Sequence, residues 1–218
     1  WISTIEYYSN INRMINERLG GDNSAKILLY SLNFEEFRPP PDFKDWSSRA
    51  KMLTDIAVKL EKGGADCILL CANTPHIVAE PIQNNINIPL IHIAEATSKE
   101  ILNQEINKVG LLGTKFTMEQ SFFKEKLSKY NIETLVPEEA EREFIHSSIF
   151  NELGKEIFKE STMEKYLEII NDLISKGAQG VILGCTEIPL LIKPGDCEIP
   201  TFDTTLIHSK AAVDFALS

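Results

Sequence analysis

Ile2, Ile5, Tyr8, Ile11, Ile15 and Leu19 recur at intervals of three and four, the spacing of one helical face, and Gly20-Gly21 ends the pattern. A second stripe, Ala50, Leu53, Ile56, Ala57 and Leu60, predicts another amphipathic helix closed by Gly63-Gly64. Between them, residues 26–30 read as a buried strand. Residues 37–42 contain three consecutive prolines and read as a loop able to reach over a site. Short stretches rich in apolar residues at 67–71, 89–93, 108–112, 132–136 and the run leading to Cys185 predict strands. Helices are expected over 96–104, 138–153, 161–177 and 204–217, and Pro75 suits the first turn of another. Thr117-x-x-Gln120 and Ser161-x-x-Glu164 are candidate capping boxes for helices starting there.

Helices alternating with strands predict an α/β fold with parallel sheets. Two stretches echo each other. Gly64-Ala65-Asp66-Cys67-Ile68-Leu69-Leu70-Cys71-Ala72-Asn73-Thr74-Pro75 matches Gly177-Ala178-Gln179-Gly180-Val181-Ile182-Leu183-Gly184-Cys185-Thr186-Glu187-Ile188-Pro189. In each, a glycine leads into a strand, then a thiol, then small polar residues, then proline. The echo continues downstream in Asn87-Ile88-Pro89 and Glu198-Ile199-Pro200. Two similar halves related by a pseudo-two-fold axis are expected, residues 1–97 plus 206–218 and residues 98–205, with the active site in the cleft between them. The second half opens with strand 108–112 and Gly113-Thr114, for which the first half has no counterpart. A strand and a glycine turn are therefore expected to precede Trp1 in the natural protein.

The bulk properties narrow the partners. At 218 residues the chain suits one compact unit or two small ones. No apolar run approaches the roughly 18–20 residues of a membrane helix. A net charge of −10 argues against nucleic acid, whose phosphates call for Lys and Arg. Four cysteines are too few for a disulfide scaffold and suit a reducing cytoplasm. On a strand, Cys67 and Cys71 would stand about 13 Å apart, too far to share a metal. Cys67 and Cys197 read as ordinary buried or loop residues.

Ligands in open α/β sheets collect at the carboxyl ends of strands, where Cys71 and Cys185 are expected. The helix turns that follow offer backbone N–H groups, so Asn73-Thr74 and Thr186-Glu187 can cradle a carboxylate. Helix N-termini also lower a thiol's pKa. One thiol per half suits an enzyme that takes a proton from one face of a carbon and returns it to the other. Such work needs one thiolate and one thiol, exchanging roles with direction.

Cys71-Ala72-Asn73-Thr74-Pro75-His76 and Gly184-Cys185-Thr186-Glu187-Ile188-Pro189-Leu190-Leu191 resemble the two cysteine signatures of the aspartate/glutamate racemases, a superfamily that also holds hydantoin racemases, maleate isomerases and arylmalonate decarboxylases. The resemblance covers essentially the whole chain, including the stretch around Thr4 and Gly113-Thr114-Lys115-Phe116-Thr117-Met118, and is nearest to the aspartate racemase branch. It implies two-base racemisation of an amino acid without pyridoxal phosphate or metal, with no cofactor, in a homodimer. Cys71 would act on the proton of the D enantiomer and Cys185 on that of the L enantiomer. Thr4, Asn73, Thr74, Thr117, Thr186 and Glu187 would line the substrate. Glutamate racemases carry His where this chain has Glu187, which favours aspartate or a broader range. Related aspartate racemases hold a substrate carboxylate with an arginine, and an ungapped comparison puts Arg38 there. Their lysine before the second cysteine corresponds to Gly154, with Lys155 one position later.

Each residue also has a plainer reading. Arg38 and Lys155 suit solvated surface positions, Thr117 an N-cap, and His76 an anchor for its helix. His92, His146 and His208 are scattered, lack metal-ligand spacing and read as structural. Glu187 either orients Cys185 or caps a helix. Competing functions are hydantoin racemase, broad-specificity racemase, maleate isomerase with Cys71 as nucleophile, a catalytically silent binding relative, and a thiol redox protein.

Overall fold

The computed structural model describes residues 1–37 and 45–218. Helices among them are α1 (Ile2–Leu19), α2 (Phe34–Phe37), α3 (Ser47–Lys62), α4 (Ala79–Gln83), α5 (Ile93–Asn103), α6 (Lys115–Glu119), α7 (Ser121–Ser128), α8 (Glu139–Asn151), α9 (Glu160–Ser175), α10 (Ile188–Leu191) and α11 (Thr204–Ala216). Strands are β1 (Lys108–Gly113), β2 (Glu133–Leu135), β3 (Gly180–Gly184) and β4 (Thr201–Asp203). The chain packs as two units, Trp1–His92 with His208–Ser218, and Ile93–Ile207.

The second unit carries a four-stranded, wholly parallel sheet in the order β2-β1-β3-β4. Beyond Lys108 at its first position, its central strands carry only apolar residues and glycine, because helices cover both faces. Alternation sends Val109, Leu111 and Ile182 to one side, against Ile101, Phe123, Leu127 and Phe202. Leu112, Val181 and Leu183 go to the other, against Ile145, Tyr166, Ile169 and Leu173. A reciprocal capping box between Glu138 and Glu141 starts α8, and Asp203 Oδ1 accepts the Thr205 and Leu206 N–H groups at the start of α11.

Gly184 ends β3 where no side chain fits. A Cβ there would lie 2.7 Å from the Leu112 carbonyl oxygen and 3.1 Å from Thr117 Cγ2. Backbone cannot yield as a flexible side chain does, so Gly184→Ala is expected to cost about 2–3 kcal/mol. Urea unfolding checks this, since an unchanged midpoint would mean that β1 and β3 part freely.

The first unit is mainly helical. Ile68 and Leu90 form a parallel bridge, with Ile68 N–H donating to Pro89 O at 2.9 Å and Ile91 N–H to Ile68 O at 3.0 Å. The strands expected at 67–71 and 89–93 are thus reduced to that single bridge. Residues 26–30 are irregular rather than a buried strand, with Leu28, Leu29 and Tyr30 about half exposed. No strand among the described residues pairs with them, and an apolar run without a hydrogen-bonding neighbour is not a strand.

The echo seen in the sequence has a local counterpart. Ala65 N–H donates to Leu60 O and Gly64 N–H to Glu61 O, and Gly64 has φ +94°. Ala178 N–H donates to Leu173 O and Gly177 N–H to Ile174 O, with φ +95° at Gly177. Both are the double hydrogen bond with a left-handed glycine that closes a helix, and each leads toward one of the cysteines.

Two helix starts differ from expectation. Thr114, not Thr117, caps α6, its side chain accepting the Thr117 N–H. Ser161 lies inside α9, which begins at Glu160 without a side-chain cap. In each case the preceding backbone already turns into the helix upstream of the expected cap.

Candidate active site

In the second unit, Cys185 follows Gly184 directly at the carboxyl end of β3. Its Sγ–H donates to Glu187 Oε2 at 2.7 Å. Burial pushes this thiol well above its ordinary pKa, and the Glu187 carboxylate pushes in the same direction. The Glu187 and Thr186 backbone N–H groups oppose that shift without overcoming it. Glu187 makes no side-chain cap to α10, so of its two sequence readings the thiol contact is the one present. Thr117 is fully buried on α6, its methyl packed against Gly113 and Gly184, and its Oγ1 lies 3.3 Å from Thr114 Oγ1. Lys155 is exposed at the end of the 3-10 turn Leu153–Lys155, whose Leu153 packs with Ile188 and Leu191 of α10.

In the first unit, Cys71 lies three residues past the Ile68 bridge and just before the 3-10 turn Thr74–Val78, which Pro75 opens. Burial pushes its thiol up to about 11. Both thiols are therefore raised, contrary to the lowering expected from helix N-termini. The following helical segments span only five and four residues, too short to offset the loss of water around the sulfur. Asn73 is buried, while Thr74 and Thr186 are half-buried. Thr4 is half-buried on α1, one turn before Tyr7. Arg38 lies outside the described residues.

The structure also gathers histidines that looked scattered in the sequence. His76, His92 and His208 stand together, with ring centroids 4.7 Å apart for His76–His92 and 5.4 Å for His76–His208. Tyr7 Oη lies 2.8 Å from His208 Nδ1. No local spacing signals this cluster, because its members span residues 7–208. His146, in the second unit, accepts the Lys115 N–H at Nδ1 and so ties α6 to α8. An ion pair between Lys115 and Glu143 makes the same link.

Burial lowers His208 from an ordinary 6.5 to about 4, and it lowers His76 well below its ordinary value, together with the neighbouring His92 and His208. A base held neutral in the fold but charged on unfolding stabilises the protein above pH 6.5 and loses that contribution as pH falls toward 4. His208 alone is expected to remove about 2 kcal/mol between pH 7.5 and 5. Urea midpoints at the two pH values measure this, and equal midpoints would mean that the cluster takes up protons at no cost.

Each of the two cysteines thus follows a matched helix-closing turn, and Cys185 is bonded to a carboxylate. A family model described as Asp/Glu/hydantoin racemase matches residues 1–212. The chain belongs to this family. It is an isomerase acting on amino acids. Over 177 residues it is 30% identical to the broad specificity amino-acid racemase RacX of Bacillus subtilis, covering 80% of this chain and 75% of that one. A crystal structure of a protein provisionally named an Asp/Glu racemase, from Yersinia pestis, is 44% identical with TM-score 0.95, covering 100% and 95% of the two chains. The structure of an aspartate racemase homologue from Pyrococcus horikoshii is 37% identical with TM-score 0.88, covering 99% and 94%. Among the described residues of this racemase-family chain, no helix is long and apolar enough to cross a membrane, and no three His, Cys, Asp or Glu side chains converge on a metal position.

Proposed function

We propose that the protein racemises an acidic amino acid, aspartate foremost, by proton transfer between Cys71 and Cys185 without pyridoxal phosphate. The observation carrying this reading is the pair of thiols that follow matched helix-closing turns, with the Cys185 Sγ–H bonded to the Glu187 carboxylate. Glu187 favours the protonated form of Cys185, which suits Cys185 to deliver a proton, while Cys71, itself raised to about 11 by burial, must first lose its proton to serve as the thiolate base. That thiolate removes the α-proton of the D enantiomer, the electron pair moves into the substrate carboxylate, and Cys185 delivers its proton to the opposite face. The reverse direction needs Cys185 as thiolate, and Glu187 lies within reach of its proton. Backbone N–H groups at 73–74 and 186–187, with Thr117, would bind the carboxylate whose negative charge grows in the transition state.

Aspartate is favoured by Glu187 in place of histidine and by likeness to the Pyrococcus horikoshii homologue. Likeness to RacX favours a second reading, broad specificity. A cytoplasmic homodimer completes the proposal. Proton NMR in D₂O with L- and D-aspartate and glutamate, and no added cofactor, tests it. Loss of the α-proton signal supports the reading and ranks the substrates. No exchange with any of the four would end it and direct attention to hydantoins or maleate.

A further inference from the structure

The proposed chemistry uses two thiols and leaves the buried cluster beside Cys71 without a task. Tyr7 comes from α1, His76 from the turn after Cys71, His92 from the residue before α5, and His208 from α11, all within the first unit. Each is less than one-tenth exposed. Burying a polar ring is costly unless its hydrogen bonds are met. The bonds these rings make are specific.

Carbonyl oxygens only accept, so they settle the tautomers. His208 Nε2–H donates to Ile91 O at 2.7 Å, which leaves Nδ1 to accept the Tyr7 hydroxyl. His76 Nδ1–H donates to Ala72 O at 2.9 Å, with Asn73 O at 3.3 Å. Those two carbonyls belong to the residues directly after Cys71. The His92 and His208 rings meet His76 at 60° and 69°, edge to face, and restrict its rotation.

We propose that His76, clamped by Tyr7, His92 and His208, is the positioning residue of Cys71: its Nδ1–H holds the 71–73 backbone so that the thiol keeps one aim and stays shielded from water. His76 acts through the backbone and takes no part in moving the proton. Cys185 has a side-chain partner in Glu187, whereas this clamp reaches Cys71 only through main-chain carbonyls. The inference rests on the reading of Cys71 as a proton-transfer thiol, but thiol reactivity reports on the clamp independently of that reading.

The test uses the full chain with His76→Ala, His76→Gln, His76→Asn and the milder Tyr7→Phe. Asparagine places its amide nitrogen near the position of Nδ1, and glutamine places it near Nε2. The Ala and Gln variants are expected to lose about 30-fold in kcat with little change in KM, within the roughly 10²-fold that a 1 Å misplacement costs. Asn should recover to within about fivefold of wild type, the worth of one neutral hydrogen bond. Tyr7→Phe should fall in the same direction by about threefold to fivefold.

Iodoacetamide labelling, read by mass spectrometry of the two cysteine peptides, supplies the second measurement. Release of Cys71 from its half-buried setting should speed its alkylation about tenfold in the Ala and Gln variants. Cys185 in the same molecules should stay at the wild-type rate. Activity falling while Cys71 reactivity rises supports the clamp. Unchanged Cys71 labelling in the Ala and Gln variants, or Asn behaving like Ala, would overturn it. So would equal acceleration of both thiols, which would mark general loosening of the fold. If wild type exchanges no α-proton, the racemase reading falls, and a change of labelling confined to Cys71 still supports the clamp.

Discussion

Replacing either Cys71 or Cys185 by alanine is expected to lower kcat/KM for racemisation at least about 10³-fold, within the range that a positioned acid or base contributes. Two enantiomers have equal free energy, so the loss must be the same in both directions. The double variant should be little worse than either single one, because each thiol is useless for inversion without the other. Exchange without inversion separates their roles. With Cys185→Ala, Cys71 can still remove and return the proton of the D enantiomer, so deuterium should enter D-aspartate alone. With Cys71→Ala it should enter L-aspartate alone. Deuterium entering both enantiomers in both variants would point to a single base reaching both faces and would end the two-thiol mechanism.

Glu187→Gln is expected to act on Cys185 in two ways. Burial and the Glu187 charge both raise this thiol, and the substitution removes only the charge. Cys185 should then ionise more readily and alkylate about tenfold faster near pH 8, with Cys71 unchanged. Racemisation should nevertheless fall about 10²-fold, because an amide can accept the Sγ–H hydrogen bond that the carboxylate accepts at 2.7 Å but cannot act as a base for the thiol proton. Faster labelling with slower turnover identifies the carboxylate as the partner of Cys185. Wild-type values for both would leave Glu187 no part beyond its place before α10.

Periodicity made most of the helices legible. The stripe from Ile2 to Leu19 became α1 with the same limits, and the stripe from Ala50 to Leu60 lies inside α3. Strands were legible only where a neighbour exists. Residues 108–112 and the run leading to Cys185 correspond to β1 and β3 in the centre of the sheet, each paired on both sides. The equally apolar stretch 26–30 has no pairing strand among the described residues and stays irregular. Hydrophobicity shows that a segment wants burial, and it does not supply the backbone partner that makes a strand. Caps were legible to within one turn, since Thr114 and Thr117 are both plausible side chains and the backbone's entry chooses between them.

Much of the candidate site was written locally: the helix-ending glycines, the apolar run after each, and the thiols with their small polar neighbours all follow from short-range spacing. Short spacing also put Glu187 two residues from Cys185, leaving open whether its carboxylate turned to the helix or to the sulfur. The turn at 185–187 settled this by bringing Oε2 to Sγ. The histidine cluster had no trace in the pattern. Tyr7, His76, His92 and His208 meet through packing of separate elements, and both the shifted histidine pKa values and the clamp on the 71–73 backbone arise from that meeting. Local structure answers to periods of two and 3.6 residues, which a sequence displays. Contacts across 201 positions, such as Tyr7 with His208, exist only after the chain has buried its apolar faces and excluded water from the rings.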